Sequence, residues 1–86
     1  MYELVLTKEA QAFYEKAGRS LVRRLNRCFD RLRQEPHDHP NITRLRGPLA
    51  GCFRYRIGDW RVIYEVDEDG RIVIILIIAH RSKAYK

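Results

Sequence analysis

Cysteine is scarce in this chain, with Cys28 and Cys52 as the whole complement. The two show no metal-ligand spacing, and one pair cannot make the dense disulfide framework of small secreted domains, so both read as small core residues. Long apolar runs are also missing. The longest, Ile72 to Ala79, has eight residues, whereas a membrane-crossing helix needs roughly 20. No basic region precedes an apolar stretch at the start, so no secretory leader is expected and the cytoplasm is the expected compartment. Low-complexity segments, internal repeats and linkers are absent, which leaves one folded domain over residues 1–86. The chain has no Gly-rich phosphate loop, Walker motif or nucleophile elbow. His37-Asp38-His39 lacks a fourth ligand at suitable spacing, so a surface turn is expected there, with no metal and no cofactor.

What the chain does have is positive charge. Seventeen Lys and Arg stand against eleven Asp and Glu in 86 residues, for a net +6 and a pI near 9.7. Thirteen of the seventeen cations are arginine, whose planar fork suits phosphate. Charge of this sign makes a polyanion the first partner to consider, and the arrangement of the arginines has to decide it.

The order of elements reads β-α-α-β-β-β. Tyr2, Leu4 and Leu6 alternate with Glu3 and Val5 as a short strand, and Thr7 caps a helix carrying Ala10, Phe13, Tyr14 and Ala17 on one side. Gly18 is expected to stop that helix and Ser20 to cap the next. The second helix gathers Leu21, Val22, Leu25, Cys28, Phe29 and Leu32 into one stripe, with arginines over the rest, and ends at Pro36. Residues 37–43 read as a loop. From Cys52 the period becomes two, and turns at Gly58-Asp59 and around residues 67–70 divide a three-strand antiparallel meander. The expected class is therefore α+β, an antiparallel twisted sheet with a two-helix hairpin on one face. The first strand is a candidate to join the meander.

A two-residue turn at Gly58-Asp59 fixes a register in which Ile57 faces Trp60, Arg56 faces Arg61 and Arg54 faces Ile63. Phe53, Tyr55, Ile57, Trp60, Val62 and Tyr64 then share the side that accepts the helices. Arg54, Arg56 and Arg61 share the other. Like charges directly across a strand pair oppose folding; at ~5 Å and an effective dielectric near 20 two unit charges repel by roughly 3 kcal/mol. An anion bound between them relieves that repulsion. The same reading extends the arginine face across the last strand through Ile72, Ile74, Leu76, Ile78 and His80. Beyond that strand, His80, Arg81 and Tyr85 supply an imidazole, a guanidinium and a phenol, groups suited to proton transfer at a ribose hydroxyl and to neutralising charge at phosphorus.

Leu6-Thr7 leading into a helical hairpin, Arg44-Leu45-Arg46-Gly47, the run from Phe53 to Tyr64, and His80-Arg81 with Tyr85 occur here in an order that resembles the RelE/ParE superfamily of bacterial toxin-antitoxin toxins. The resemblance implies a RelE-like toxin that cuts mRNA in the ribosomal A site. Its nucleophile would be the 2′-hydroxyl, leaving a 2′,3′-cyclic phosphate, and it would need no metal. It implies Arg54, Arg56, Arg61, Arg81 and Tyr85 as the site, with Tyr85 or His80 as base and Arg81 as proton donor or charge stabiliser. Arginine holds its proton too tightly to act as a base, so Arg54 and Arg56 would bind the scissile phosphate and its transition-state charge. Arg44, Arg46 and Lys83 are the further cations expected on RNA. The implied partners are mRNA on the 70S ribosome and an antitoxin encoded in the same operon, with operator DNA reached only through the antitoxin complex. Two other readings stand beside it: a ParE-like inhibitor of DNA gyrase, and a non-catalytic basic binding protein of the same fold.

Overall fold

The computed structural model describes residues 1–84. Thr7 opens α1 (Lys8–Lys16) as expected: its hydroxyl accepts the Ala10 N–H at 3.2 Å and satisfies one orphan donor of the first turn. The second cap falls elsewhere. Gly18, extended at φ −67 and ψ 160, is the N-cap of α2 (Arg19–Gln34), and Ser20 lies inside the first turn. Ala17 ends α1, so the connection is tighter than a glycine stop followed by a separate cap.

Five strands form one mixed sheet: β1 (Glu3–Leu6), β2 (Ile42–Arg44), β3 (Phe53–Ile57), β4 (Trp60–Asp67) and β5 (Ile72–His80), in the order β1-β5-β4-β3-β2. The three-strand meander is present, and two additions extend it. β1 pairs with β5 in parallel, so the sheet is not wholly antiparallel. A three-residue β2, inside and just after the expected loop, pairs antiparallel with β3. A short 3-10 turn over Gly47–Leu49 links β2 to β3.

Both helices pack on one face. Leu25, Cys28, Phe29 and Leu32 of α2 and Ala10 of α1 bury there against Tyr2, Phe53, Tyr55, Ile57, Val62, Tyr64, Val73, Ile75 and Ile78. The side-chain alternation of a strand accounts for this set. Tyr64 is wholly buried and its hydroxyl donates to the Pro36 carbonyl at 2.7 Å, which fixes the end of α2 to the sheet.

The β3–β4 register matches the expectation at all five pairs, Arg56 opposite Arg61 included. The β4–β5 register does not follow suit. A bulge at Ile63/Tyr64 moves the pairing from Ile63–Ile77 to Tyr64–Ile75, so Leu76 is an extra residue on β5. Thr7 uses the interruption: its hydroxyl donates to the Leu76 carbonyl at 2.9 Å. Past the bulge every side chain changes face. Ile78 and His80 lie opposite Val62 and Trp60 on the helix side, while Ile77 and Ala79 take the arginine side with Ile72 and Ile74. β5 is apolar along its whole length, yet the helices cover only one of its faces, and on the other Ile72, Ile74 and Ile77 are only half-buried. Among the described residues no helix is long and apolar enough to cross a membrane.

Candidate nucleic-acid interface

The Gly58-Asp59 turn organises the uncovered face. Gly58 has φ +57, a conformation that glycine adopts without steric cost and that a hairpin of this length demands at its first turn position. The turn's carbonyls then hold two arginines. Arg61 Nη1 donates to the Gly58 carbonyl at 2.7 Å and to the Trp60 carbonyl at 2.9 Å. The Arg81 backbone N–H donates to the Asp59 carbonyl at 2.7 Å, and its Nε lies 3.7 Å from the Asp59 carboxylate. Both guanidinium groups are thus gathered at one hairpin tip.

Arg54 lies further down the same face, half-buried, with Nη2 donating to the Thr43 hydroxyl at 3.0 Å. Arg56 is exposed beside it. Glu3 and Glu65 are the acids that could have neutralised this face, yet neither pairs with Arg56 or Arg61. Cys52 sits just before β3 within the influence of Glu65; burial first, and that carboxylate second, push its thiol up. The Cys28 thiol is pushed up further, by burial in the core. Neither is poised as a thiolate nucleophile.

Several expected site residues are placed elsewhere. His80 is on the helix side, edge-on to Trp60 at 5.4 Å, not beside the arginines. Its Nδ1 accepts the Ser82 N–H at 3.3 Å and lies 3.1 Å from the Ser82 hydroxyl. Arg44 also faces away, its guanidinium 5.3 Å from the centre of the Phe53 ring. Arg46 is exposed between β2 and the 3-10 turn, and Lys83 is exposed beyond β5 along an apolar groove with Phe13, Trp60 and Ile78. Tyr85 lies outside the described residues. The structure therefore brings Arg54, Arg56, Arg61 and Arg81 together and separates His80 and Arg44 from them.

Two residues that orient the arginines were not singled out from the sequence, Asp59 and Thr43. Asp59 had a readable sign, because it is an acid set in the turn between Arg56 and Arg61. Thr43 had none, since its role depends on β2. His37 and His39 diverge rather than share a ligand. His37 lies edge-on between Tyr2 and Phe53 and bonds Glu68 through Nε2 at 2.5 Å, so it is a packed tie and not a bare surface turn. His39 stacks on Tyr55 at 5.5 Å. Among the described residues, no three His, Cys, Asp or Glu side chains converge as a metal site would require.

Comparison with known proteins places this helix-backed α+β fold with its basic sheet face among small toxins. The chain belongs to the ParE toxin family of type II toxin-antitoxin systems, whose family model matches residues 4–85. Toxin RelG of Mycobacterium tuberculosis is 40% identical over 42 residues, which cover 49% of this chain and 48% of that toxin, so the chain spans about half the length of this curated relative. The toxin-antitoxin complex RelBE2 from the same organism superposes with a TM-score of 0.78 at 32% identity, over 93% of this chain and 98% of that one. The archaeal RelE-RelB complex from Pyrococcus horikoshii OT3 superposes at 0.81 and 27% identity, over 96% and 98%.

Proposed function

We propose that this toxin is a ribosome-dependent, metal-independent endoribonuclease that cuts mRNA in the A site. The observation that carries the reading is the gathering of Arg54, Arg56, Arg61 and Arg81 on the sheet face opposite the helices, two of them oriented by a single turn. Attack of a ribose 2′-hydroxyl on the adjacent phosphorus forms the 2′,3′-cyclic phosphate and breaks the bond to the 5′-oxygen of the next nucleotide. One proton leaves the 2′-oxygen and one must reach the departing 5′-oxygen. Between those events the non-bridging oxygens gain charge, and fixed guanidinium groups stabilise it without reorganising. Arg61 and Arg81 are the best-positioned donors. Arg81 acts as charge stabiliser, since arginine keeps its proton throughout. Tyr85 is the preferred base, because His80 points to the opposite side of β5.

A toxin of this kind must be restrained, and the RelBE2 relative is a toxin-antitoxin complex. An antitoxin from the same operon is therefore the proposed partner, inactivating the toxin by covering the arginines or displacing the segment after β5, and reaching operator DNA on the complex's behalf. The protein would act in the cytoplasm, as one domain, where mRNA is translated.

Primer extension on an mRNA incubated with antitoxin-free protein, with and without translating ribosomes, tests the reading. Cuts in frame with codons and only with ribosomes are the expected result. No cuts in either lane would overturn it and favour the ParE-like reading, which the name of the matching family supports. A gyrase supercoiling assay then decides between DNA gyrase inhibition and binding without catalysis.

A further inference from the structure

A second basic surface lies around the corner from the open face. Helix α2 carries six arginines and one aspartate, a net of +5 in a chain whose total is +6. Arg24, Arg27 and Arg31 line a groove of about 260 Å³ between α2 and the margin of β3, closed on the other side by Asn41, Tyr55, Arg56, Ile57 and Gly58. At 1.5 Å per residue these three helical arginines extend over about 10 Å of the axis. Nothing in the described structure neutralises them: Asp30, the one acid on α2, is taken by Arg33 at 2.9 Å, and no carboxylate pairs with Arg24, Arg27, Arg31 or Arg56. Core packing explains the apolar stripe of α2 but not this concentration of guanidinium groups, which repel one another.

Two details connect this groove to the open face. β2 covers β3 only as far as Tyr55, so Arg56 emerges at a free margin where its N–H donates to the Asn41 carbonyl at 2.9 Å. Arg56 therefore belongs to both surfaces. Arg24 lies against the turn that holds Arg61: a Cβ placed on Gly58 would come within 2.6 Å of Arg24 Nη2. A basic track thus runs from Arg61 past Arg56 into the α2 groove without crossing an acidic side chain that pairs with it.

We infer that the α2–β3 groove is a second phosphate track, which receives the backbone of the same RNA strand whose reacting phosphate lies on the open face. The inference rests on the open face being an RNA surface, and its test does not depend on cleavage. The occupant is a strand and not a compact anion, because the arginines are spread along a helix and not focused on one point. The groove confers affinity and direction and no sequence readout, since guanidinium groups on phosphates carry no base information. It also gives Gly58 a role beyond the turn, leaving room for Arg24.

Binding of a fluorescent 2′-O-methyl RNA of about twelve nucleotides, which spans such a track and offers no 2′-nucleophile, is measured by anisotropy across a salt series. Single-strand contacts contribute about 0.7 each to the log-log salt slope, so R27Q/R31Q should flatten it by about 1.4 and weaken binding about 25-fold near 0.1 M salt. The R27K/R31K variant should keep the wild-type slope. A trinucleotide, confined to the open face, should bind both proteins equally. The inference is overturned by an unchanged slope in R27Q/R31Q that melts like wild type, by equal losses for the long and short probes, or by two long strands binding per protein. Failure of the cleavage reading would show separately, as absent cuts in primer extension with this binding pattern intact.

Discussion

On one face of the β3–β4 hairpin, Phe53 stacks on Tyr64 at 5.5 Å and Val62 is fully buried; on the other face, Arg56 stands opposite Arg61 with no carboxylate between them. The first face gains stability from every side chain it buries. The second spends some of that stability on like charges held close together. Period-two alternation allows both within the twelve residues from Phe53 to Tyr64, because each strand residue commits its side chain to one face only. The lesson is that the basic face depends on the apolar one: without the buried side, the charges would have no scaffold to hold them.

The comparison can be broken from either side. Leu25→Ala, in the wholly buried layer under the hairpin, should lower stability by about 3 to 5 kcal/mol through lost packing and the cavity it leaves, read by chemical denaturation. Arg61→Ala and Arg81→Ala should each lower cleavage by about 10²–10³, the usual cost of removing one fixed donor to transition-state charge, while the melting temperature stays near wild type. Cleavage unaffected in both would dissolve the distinction between the faces. Asp59→Ala releases the Arg81 guanidinium only, and an exposed pair of this kind is worth at most about 1 kcal/mol, or roughly fivefold in rate. Arg56→Thr should go the other way for stability, raising it by about 0.2 to 1 kcal/mol as the cross-strand repulsion disappears, while RNA binding weakens. A variant that is both more stable and more active would contradict that trade.

The smallest expected effect is at the far end of the sheet. There the Tyr2 hydroxyl donates to Glu68 at 2.9 Å and His37 bonds its other oxygen, and these two contacts hold the carboxyl below its ordinary range. A depressed folded-state value means that the stabilisation is complete above the unfolded value and is lost as the pH falls through the folded one. Thermal melts from about pH 5 to pH 3 should therefore fall more steeply for wild type than for Glu68→Gln. Parallel curves would remove Glu68 from the account.

Legibility in the sequence followed the sharpness of local signals. The β3–β4 register could be read because a two-residue turn pins it and because one face is apolar and the other basic, so that a one-residue slip would bury three arginines. The bulge in β5 could not. From Ile72 to Ala79 every residue is apolar, and a strand without alternation gives no sign of where its faces exchange. His80 went to the wrong side for that reason. β2 is three residues long, below what any pattern resolves, and the parallel pairing of β1 depends on a partner at the other end of the chain. The arginines on β3 and β4 were legible as a face, whereas Asp59 and Thr43 acquire their roles only once the turn and β2 are built.

The parallel pairing of β1 with β5 also bears on synthesis. Glu3 lines up with Ile72 and Leu6 with Ile75, so β1 must wait for β5 to be made before it can dock. Contacts this distant in sequence are slow to form, and a nascent chain cannot complete its sheet while β5 is still inside the exit tunnel. Arg81 comes after β5, so the arginine cluster closes only once that strand and the residue beyond it have emerged. Until both are out, the basic face lacks one of its four arginines.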